Sequence, residues 1–259
     1  GRRCDGALLR LVKDLSSLWR GKRPSDIMPG SMRRVPAGAE TPAARKGAGY
    51  KEMVEQVGAL YREKSGNPLT EVYGGAIGPI LEQMKAGSGA SVVVSDKATL
   101  EASDVPFASF QPLGEAVLVL AWKKGIDIKS VDDLRTPAVQ SIGYPDKQTA
   151  IYGKAAFSLL NKSGMYKELE PKLSMLSTVP QVFSYLLTGD LDAGFVNLAV
   201  VHQQSDAVGG WMEVKDGYDP VFLVAGVVKG HESDPDVQAF VNFLGTDEAK
   251  AVYAKHGLR

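Results

Sequence analysis

From Tyr50 onward the apolar positions fall into short runs that switch between two periods. In "YKEMVEQVGALYREKSG", Met53, Val54, Val57, Leu60 and Tyr61 share one helical stripe that stops at Gly66. "PLTEVYGG" reads as a short strand. "AIGPILEQMKAG" reads as a helix with Ile77, Ile80, Leu81 and Met84 aligned, and Pro79 falls in its first turn, where proline is tolerated. "ASVVVSD" and "EAVLVLAW" lack polar alternation and predict buried strands. After the short helix "SVDDLR" come the strand "AVQSIGYP", a helix in "QTAIYGKAAFSLL", the strand "LSMLST", the helix "VPQVFSYLLTG" and the strand "AGFVNLAVV". "DPVFLVAGVV" is a long strand, and residues 235–256 make one or two helices ending at Gly257. Strands alternating with helices predict an α/β fold with βαβ units and mainly parallel sheets. The long apolar strands near 116–122 and 221–228 suit segments that cross between two lobes.

The first 46 residues follow another pattern. "GALLRLVKDLSSLWRGKRPS" reads as a basic amphipathic helix with Leu8, Leu9, Val12, Leu15 and Leu18 on one side, or as a poorly ordered tail. In "SMRRVPAGAETPAARKG", Met32-Arg33-Arg34 resembles the charged start of a secretory signal, and Ala37-Gly38-Ala39 resembles its cleavage site. The apolar segment that belongs between them is absent.

Charge sharpens this division. Residues 1–46 carry eleven Lys/Arg against four Asp/Glu, a net +7, and residues 47–259 carry nineteen against twenty-six, a net −7. An acidic body argues against nucleic acid as a partner. An anion would have to be held by local groups against the body's own field. The single cysteine, Cys4, excludes an internal disulfide and suits either cytoplasm or periplasm. No run of about 18 apolar residues is present to span a membrane.

Motifs for catalysis are missing. There is no GxxxxGK[ST] phosphate loop and no GxSxG nucleophile elbow, and "GAGYKE" lacks the third glycine of a dinucleotide fingerprint. His202, His231 and His256 are far apart in sequence and read as surface residues. No enzyme, cofactor or directly ligated metal is expected.

Four junctions recur instead: Gly47-Ala48-Gly49-Tyr50, Gly74-Gly75-Ala76-Ile77-Gly78, Gln148-Thr149-Ala150-Ile151 and Ser177-Thr178-Val179-Pro180. Each places a small or polar turn before a helix. The first amides of a helix have no partner within it, and the dipole adds partial positive charge there. Several such ends converging make an anion site without a cation. Any α/β protein has junctions of this kind, with Gly and Thr as ordinary caps, so the pattern alone leaves both readings open.

From about Tyr50 to Leu258 the chain resembles the periplasmic molybdate-binding proteins of ABC importers, within the two-lobed type 2 solute-binding fold. The stretches that carry the resemblance are "GGAIGPILEQMKAG", "SVVVSDKATL", "IGYPDKQTAIYGKAAFSLL", "LSTVPQVFSYLLTGDLDAGFVNLAVV", "YDPVFLVAGVVKG" and "VQAFVNFLGTDEAKAVYAKHGL". It implies a first lobe of residues 47–118 plus 225–259, a second of 119–224, two crossing strands as hinge, and helices on both faces of the sheets. Residues 1–46 fall outside both lobes. It implies capture of a tetrahedral oxyanion, molybdate or tungstate, between the lobes, with another small anion (sulfate, phosphate or an organic anion) as the alternative. Ligand positions carried across are Gly49 and Tyr50, then Ala76, Ile77 and Gly78, then the Ala150 N–H with Thr149 beside it, and the Val179 N–H. Asn197 aligns with a tyrosine that the family often has. Gly and Ala stand where the family commonly has serines, and Lys51 is either a cation at the site or a solvated first-turn residue. The resemblance also implies an ABC permease as partner, a monomer and a periplasmic location. In the place of the family's apolar first strand this chain has "AETPAARK", a poor buried strand.

Overall fold

The computed structural model describes residues 6–10, 50–74, 81–82, 84–86, 89–148 and 150–259. Two five-stranded sheets organise them. The first has the order β2-β1-β3-β10-β4, from β1 (Gly6–Arg10), β2 (Thr70–Gly74), β3 (Val92–Asp96), β4 (Phe107–Ala116) and β10 (Val221–Val228). The second has the order β7-β6-β8-β5-β9, from β5 (Leu118–Trp122), β6 (Ile142–Pro145), β7 (Leu173–Leu176), β8 (Ala193–Asn197) and β9 (Gly210–Glu213).

The strands that read as unbroken apolar runs are covered on both faces. In β3, Val92 and Val94 point into the main core and Val93 into a smaller one with Leu100, Val105 and Val224. Likewise Leu223, Ala225 and Val227 of β10 face the main core while Val224 faces the smaller one. Successive side chains of a strand alternate faces, so two covered faces demand apolar residues throughout. Gly226 marks the tightest point of the smaller core, where a Cβ would lie 2.7 Å from the Phe107 ring.

The sheets are less parallel than the βα alternation predicts. Only β6 pairs in parallel, with β7 and β8, whereas β1 with β2 and β3, β10 with β3 and β4, and β5 with β8 and β9 are antiparallel. Strands β5 and β10, which follow a change of sheet, run against their neighbours, and so does β1 from the start of the chain. The chain changes sheet at Val117, between β4 and β5, and again over residues 214–220, between β9 and β10. The predicted run "EAVLVLAW" is thus two strands broken at Val117. The predicted crossing strand 221–228 lies wholly within the first sheet, paired with β3 and β4. The expected lobe division at 118/119 falls inside β5 and that at 224/225 inside β10.

Residues 6–10 correct the expected amphipathic helix over that stretch. They form β1, which sits between β2 and β3 and is the strand to which β2 is paired. Two rows of backbone groups that need partners outweigh the local helical period. Cys4, residues 11–46 and the "AETPAARK" segment lie outside the described residues, as does most of the helix expected over 76–87.

The helix Ile151–Lys162 packs on the second sheet and reaches the first through Lys154. At its start the Ala150 N–H donates to the Asp146 carbonyl at 2.9 Å, and the Gln148 N–H to the Asp146 carboxylate at 2.7 Å. Gly153 lets the first turn lie directly on the end of β6: a Cβ there would stand 2.2 Å from the Asp146 carbonyl oxygen and 2.5 Å from that of Pro145. Further along, the Ser158 hydroxyl donates to the Asp219 carboxylate at 2.8 Å and accepts from the Asp219 N–H at 3.0 Å, and Lys162 pairs with the same carboxylate. Asp219 belongs to the second crossing passage. Lys154 reaches the first sheet, pairing with Asp96 at the end of β3 at 3.5 Å and with the Thr99 hydroxyl at 3.5 Å.

Asp192 fixes the start of β8 against β6. Its carboxylate accepts from the Gln140 N–H at 2.6 Å and the Ser141 N–H at 3.1 Å, and pairs with Lys123 at 2.5 Å. Burial alone raises its pKa, but the Lys123 ammonium and the two amides outweigh that and hold it below the ordinary value of 3.8.

Two outcomes follow. Asp192→Ala leaves two partly buried amides without their acceptor and is expected to cost about 1–3 kcal/mol. Because the folded pKa is depressed, this contribution is complete above the ordinary value of 3.8 and lost as pH falls through the folded one. The stability gap between the two proteins should therefore narrow in acid by its charge-dependent part, and a gap that does not narrow there would refute the assignment. Gly153→Ala should also destabilise, by about 1–3 kcal/mol of overpacking against backbone. An ordinary helical Gly→Ala change stabilises by roughly 0.5–1 kcal/mol, so the sign of the shift in thermal midpoint decides.

Candidate functional site

Helix starts from both halves of the molecule meet at one crevice. It is lined by Tyr50 and Met53 from the first turn of helix Lys51–Ser65, Ile151 and Tyr152 from the start of helix Ile151–Lys162, and Asn197 from the end of β8. Leu223, His256 and Leu258 complete the wall.

At the first junction the Val54 N–H donates to the Tyr50 carbonyl at 3.0 Å, so the amides of residues 51–53 have no partner within their helix. At the third, the Lys154 N–H donates to the Ala150 carbonyl at 2.9 Å, which leaves those of residues 151–153 in the same position. The expected donor there, the Ala150 N–H, is instead engaged by Asp146. The available amides begin one residue later because the turn after β6 closes on itself before the helix starts.

At the fourth junction the Thr178 hydroxyl caps the helix Val179–Thr188 by accepting from the Gln181 N–H at 3.3 Å. The Gln181 side chain accepts from the Ser177 N–H at 3.0 Å, and Pro180 has no N–H. The Val179 amide is therefore the one first-turn amide lacking a partner within that helix. Val179 is buried but is not among the residues that line the crevice. The structure thus brings Tyr50, Asn197 and the residues after Ala150 together, and leaves Val179 apart. Lys51 is half exposed and pairs with Glu55 along its own helix at 3.5 Å, which favours the solvated reading. Gly49, Ala76, Ile77, Gly78 and Thr149 lie outside the described residues.

Sequence reasoning missed Tyr152 and His256. Tyr152 sits one residue beyond the junction that was singled out, and its apolar neighbours gave no signal. His256 was read as a surface residue, but its Nε2 lies 2.9 Å from the Gln56 side-chain oxygen and the residue forms part of the wall. Burial pushes its pKa down from 6.5, so the imidazole is neutral at neutral pH, and the crevice wall carries no formal charge. Tyr152 is buried in the same wall as Asn197, and burial pushes its pKa far above the usual 10.

The open volume is about 10 Å³, near the least that holds one water. A ligand larger than water enters when the sheets part or the lining side chains turn. Beyond the Lys154–Asp96 pair lies a larger space of about 380 Å³. Its wall carries the carboxylates of Asp96, Glu101 and Asp219 against Lys97 and Lys154, a poorer setting for an anion than the uncharged crevice.

The family model for bacterial extracellular solute-binding proteins matches residues 45–259. The molybdate-binding protein ModA of Rhodobacter capsulatus is 30% identical over 230 residues, 86% of this chain and 90% of that protein. Among solved structures, the substrate-binding domain ascribed to a molybdenum ABC transporter of Clostridium difficile superposes with a TM-score of 0.68. It is 20% identical and covers 82% of this chain and 95% of its own. The periplasmic molybdate-binding protein of Azotobacter vinelandii gives 0.61 at 21% identity, over 82% and 95%. These likenesses establish the two-lobed periplasmic-binding fold, and with it the chain belongs to the bacterial extracellular solute-binding proteins, a family of binding proteins of transporters rather than enzymes.

Proposed function

We propose that this chain is the capture component of an ABC importer and holds a tetrahedral oxyanion, molybdate or tungstate, in the crevice between its two sheets. The observation that carries the reading is the meeting of two helix starts, at Tyr50 and at Ile151–Tyr152, on one wall without formal charge. Molybdate is the ligand named for the Rhodobacter capsulatus relative.

The chemistry follows from the donors. Each N–H bonded to a charged oxygen contributes about 1.5–3 kcal/mol net, and micromolar affinity needs about 8 kcal/mol beyond the cost of ordering the complex. About six donors meet that requirement. The amides following Tyr50 and Ala150, the Val179 amide, brought in as the lobes adjust, and the Asn197 side of the wall are the proposed set. The loops holding Gly49, Ala76, Ile77, Gly78 and Thr149 are the proposed source of the rest. An array of donors rejects protonated phosphate, whose O–H would face no acceptor. Molybdate and sulfate, both dianions, are separated by the size of the cavity. In this reading the protein acts as a monomer outside the cytoplasmic membrane. Its closed form is what the permease recognises, and closure swings the sheets about Val117 and residues 214–220.

Isothermal titration of the purified chain with molybdate, tungstate, sulfate, phosphate and an organic phosphate is the direct test. Sub-micromolar binding of molybdate, with sulfate and phosphate weaker by about a hundredfold or more, is expected. Tight binding of only sulfate, phosphate or the organic anion would move the assignment to that ligand, and no heat with any of them would remove it.

A further inference from the structure

We infer that the Tyr152 hydroxyl donates a hydrogen bond to the bound oxyanion and that Asn197 is the positioning residue that aims it, an inference that rests on the oxyanion reading of this crevice. The orientation of Asn197 is the starting point. It caps helix Leu198–Gln203, its side-chain oxygen accepting from the Val200 N–H at 3.1 Å. That bond identifies the oxygen end of the amide and turns the NH2 end the other way. Asn197 is only 7% exposed, so its NH2 group needs an acceptor inside the protein.

Tyr152, 4% exposed and in the same wall, is the acceptor we assign to it. When the amide donates to the phenol oxygen, the phenol hydrogen is left to point at a third group. Met53, Ile151, Leu223 and Leu258 offer no side-chain oxygen or nitrogen, and the His256 Nε2 is engaged by Gln56. Tyr50 is the remaining side chain, and an anionic oxygen accepts more strongly than a neighbouring phenol, so a dianion in the crevice takes the hydrogen. Burial keeps the phenol protonated throughout the physiological range, and it therefore stays a donor. Asn197 acts through Tyr152: its amide faces the phenol.

The test uses the full chain and molybdate as the probe. Tyr152→Phe removes one oxygen and keeps the ring. Its Kd for molybdate is expected to rise at least about tenfold, the range of one charge-assisted hydrogen bond, while the ligand-free protein stays folded with a thermal midpoint lowered only by the loss of the Asn197 acceptor. Asn197→Ser keeps a capping oxygen for Val200 but removes the NH2 donor. It should weaken binding alone and add nothing in the Tyr152→Phe background, since the two act as one unit. Molybdate should also perturb the near-ultraviolet tyrosine absorption of the wild type, and that difference spectrum should shrink in Tyr152→Phe. A wild type that binds molybdate alongside a Tyr152→Phe variant of equal affinity overturns this inference and leaves the oxyanion reading standing. A wild type that binds no oxyanion removes both. Should Tyr152→Phe not fold, unchanged molybdate affinity in Asn197→Ser is the result that overturns the proposal.

Discussion

An α-helix cannot bond its own first three amides, and the rest of this molecule is arranged around that constraint at two places. Helices Lys51–Ser65 and Ile151–Lys162 belong to different halves of the chain, yet their starts share one crevice. Their outward N–H groups carry partial positive charge in a body, residues 47–259, that is net acidic. Long-range attraction therefore cannot account for anion binding here. Short, directed dipoles acting in a nearly dry space can, because their strength grows as water is excluded.

The placement of helix Ile151–Lys162 links this local chemistry to the motion of the sheets. Its first turn rests on the backbone of Pro145 and Asp146 through Gly153. One turn on, Lys154 crosses to Asp96 and Thr99 of the first sheet. Two turns on, Ser158 and Lys162 hold Asp219 in the passage that leads into β10. A ligand that draws on the amides of residues 151–153 thus pulls on an element tied to both sheets and to one of the two chain crossings. Asp96 is buried and also caps the helix Lys97–Glu101, so its carboxylate is oriented before Lys154 arrives. Sub-ångström movement at the helix start is then felt at the contact between halves, since packed elements move as units.

What the sequence made legible follows from which residues carry strong local signals. The stripe Met53–Val54–Val57–Tyr61, the strands around Val93 and Leu120, and the capped helix after Thr178 all express their period or cap within a few residues. The breaks were harder. Val117 is as apolar as its neighbours, so nothing in "EAVLVLAW" marks a change of sheet. Residues 6–10 have a helical period, and only the unpaired edges of β2 and β3, far off in sequence, make them a strand. At the crevice the same logic applies. Tyr50 sits at a junction that could be read and Asn197 was reached only through the family resemblance, whereas Tyr152 looks like a helix-core tyrosine and His256 like a surface histidine until the fold brings both to one wall. The offset of one residue at Ala150 depends on a hydrogen bond to Asp146 that no pattern encodes.

Composition at the crevice also explains how a site can work with few hydroxyls of its own. Asn197 commits its carbonyl to Val200 and, in the arrangement proposed above, its amino group to Tyr152, so the pair presents hydrogens and withholds lone pairs. His256 is kept neutral by burial, which denies the crevice a full cation that would attract any anion regardless of shape. Selectivity built from neutral donors depends on how many ligand oxygens can be reached at once, and that number is set by geometry rather than by charge. A protonated anion fails because one of its oxygens turns donor in a place without acceptors. On the proposed reading, a smaller dianion is rejected because it cannot touch helix starts on both sides together. The requirement to span two sheets is therefore what ties recognition of the ligand to closure around it.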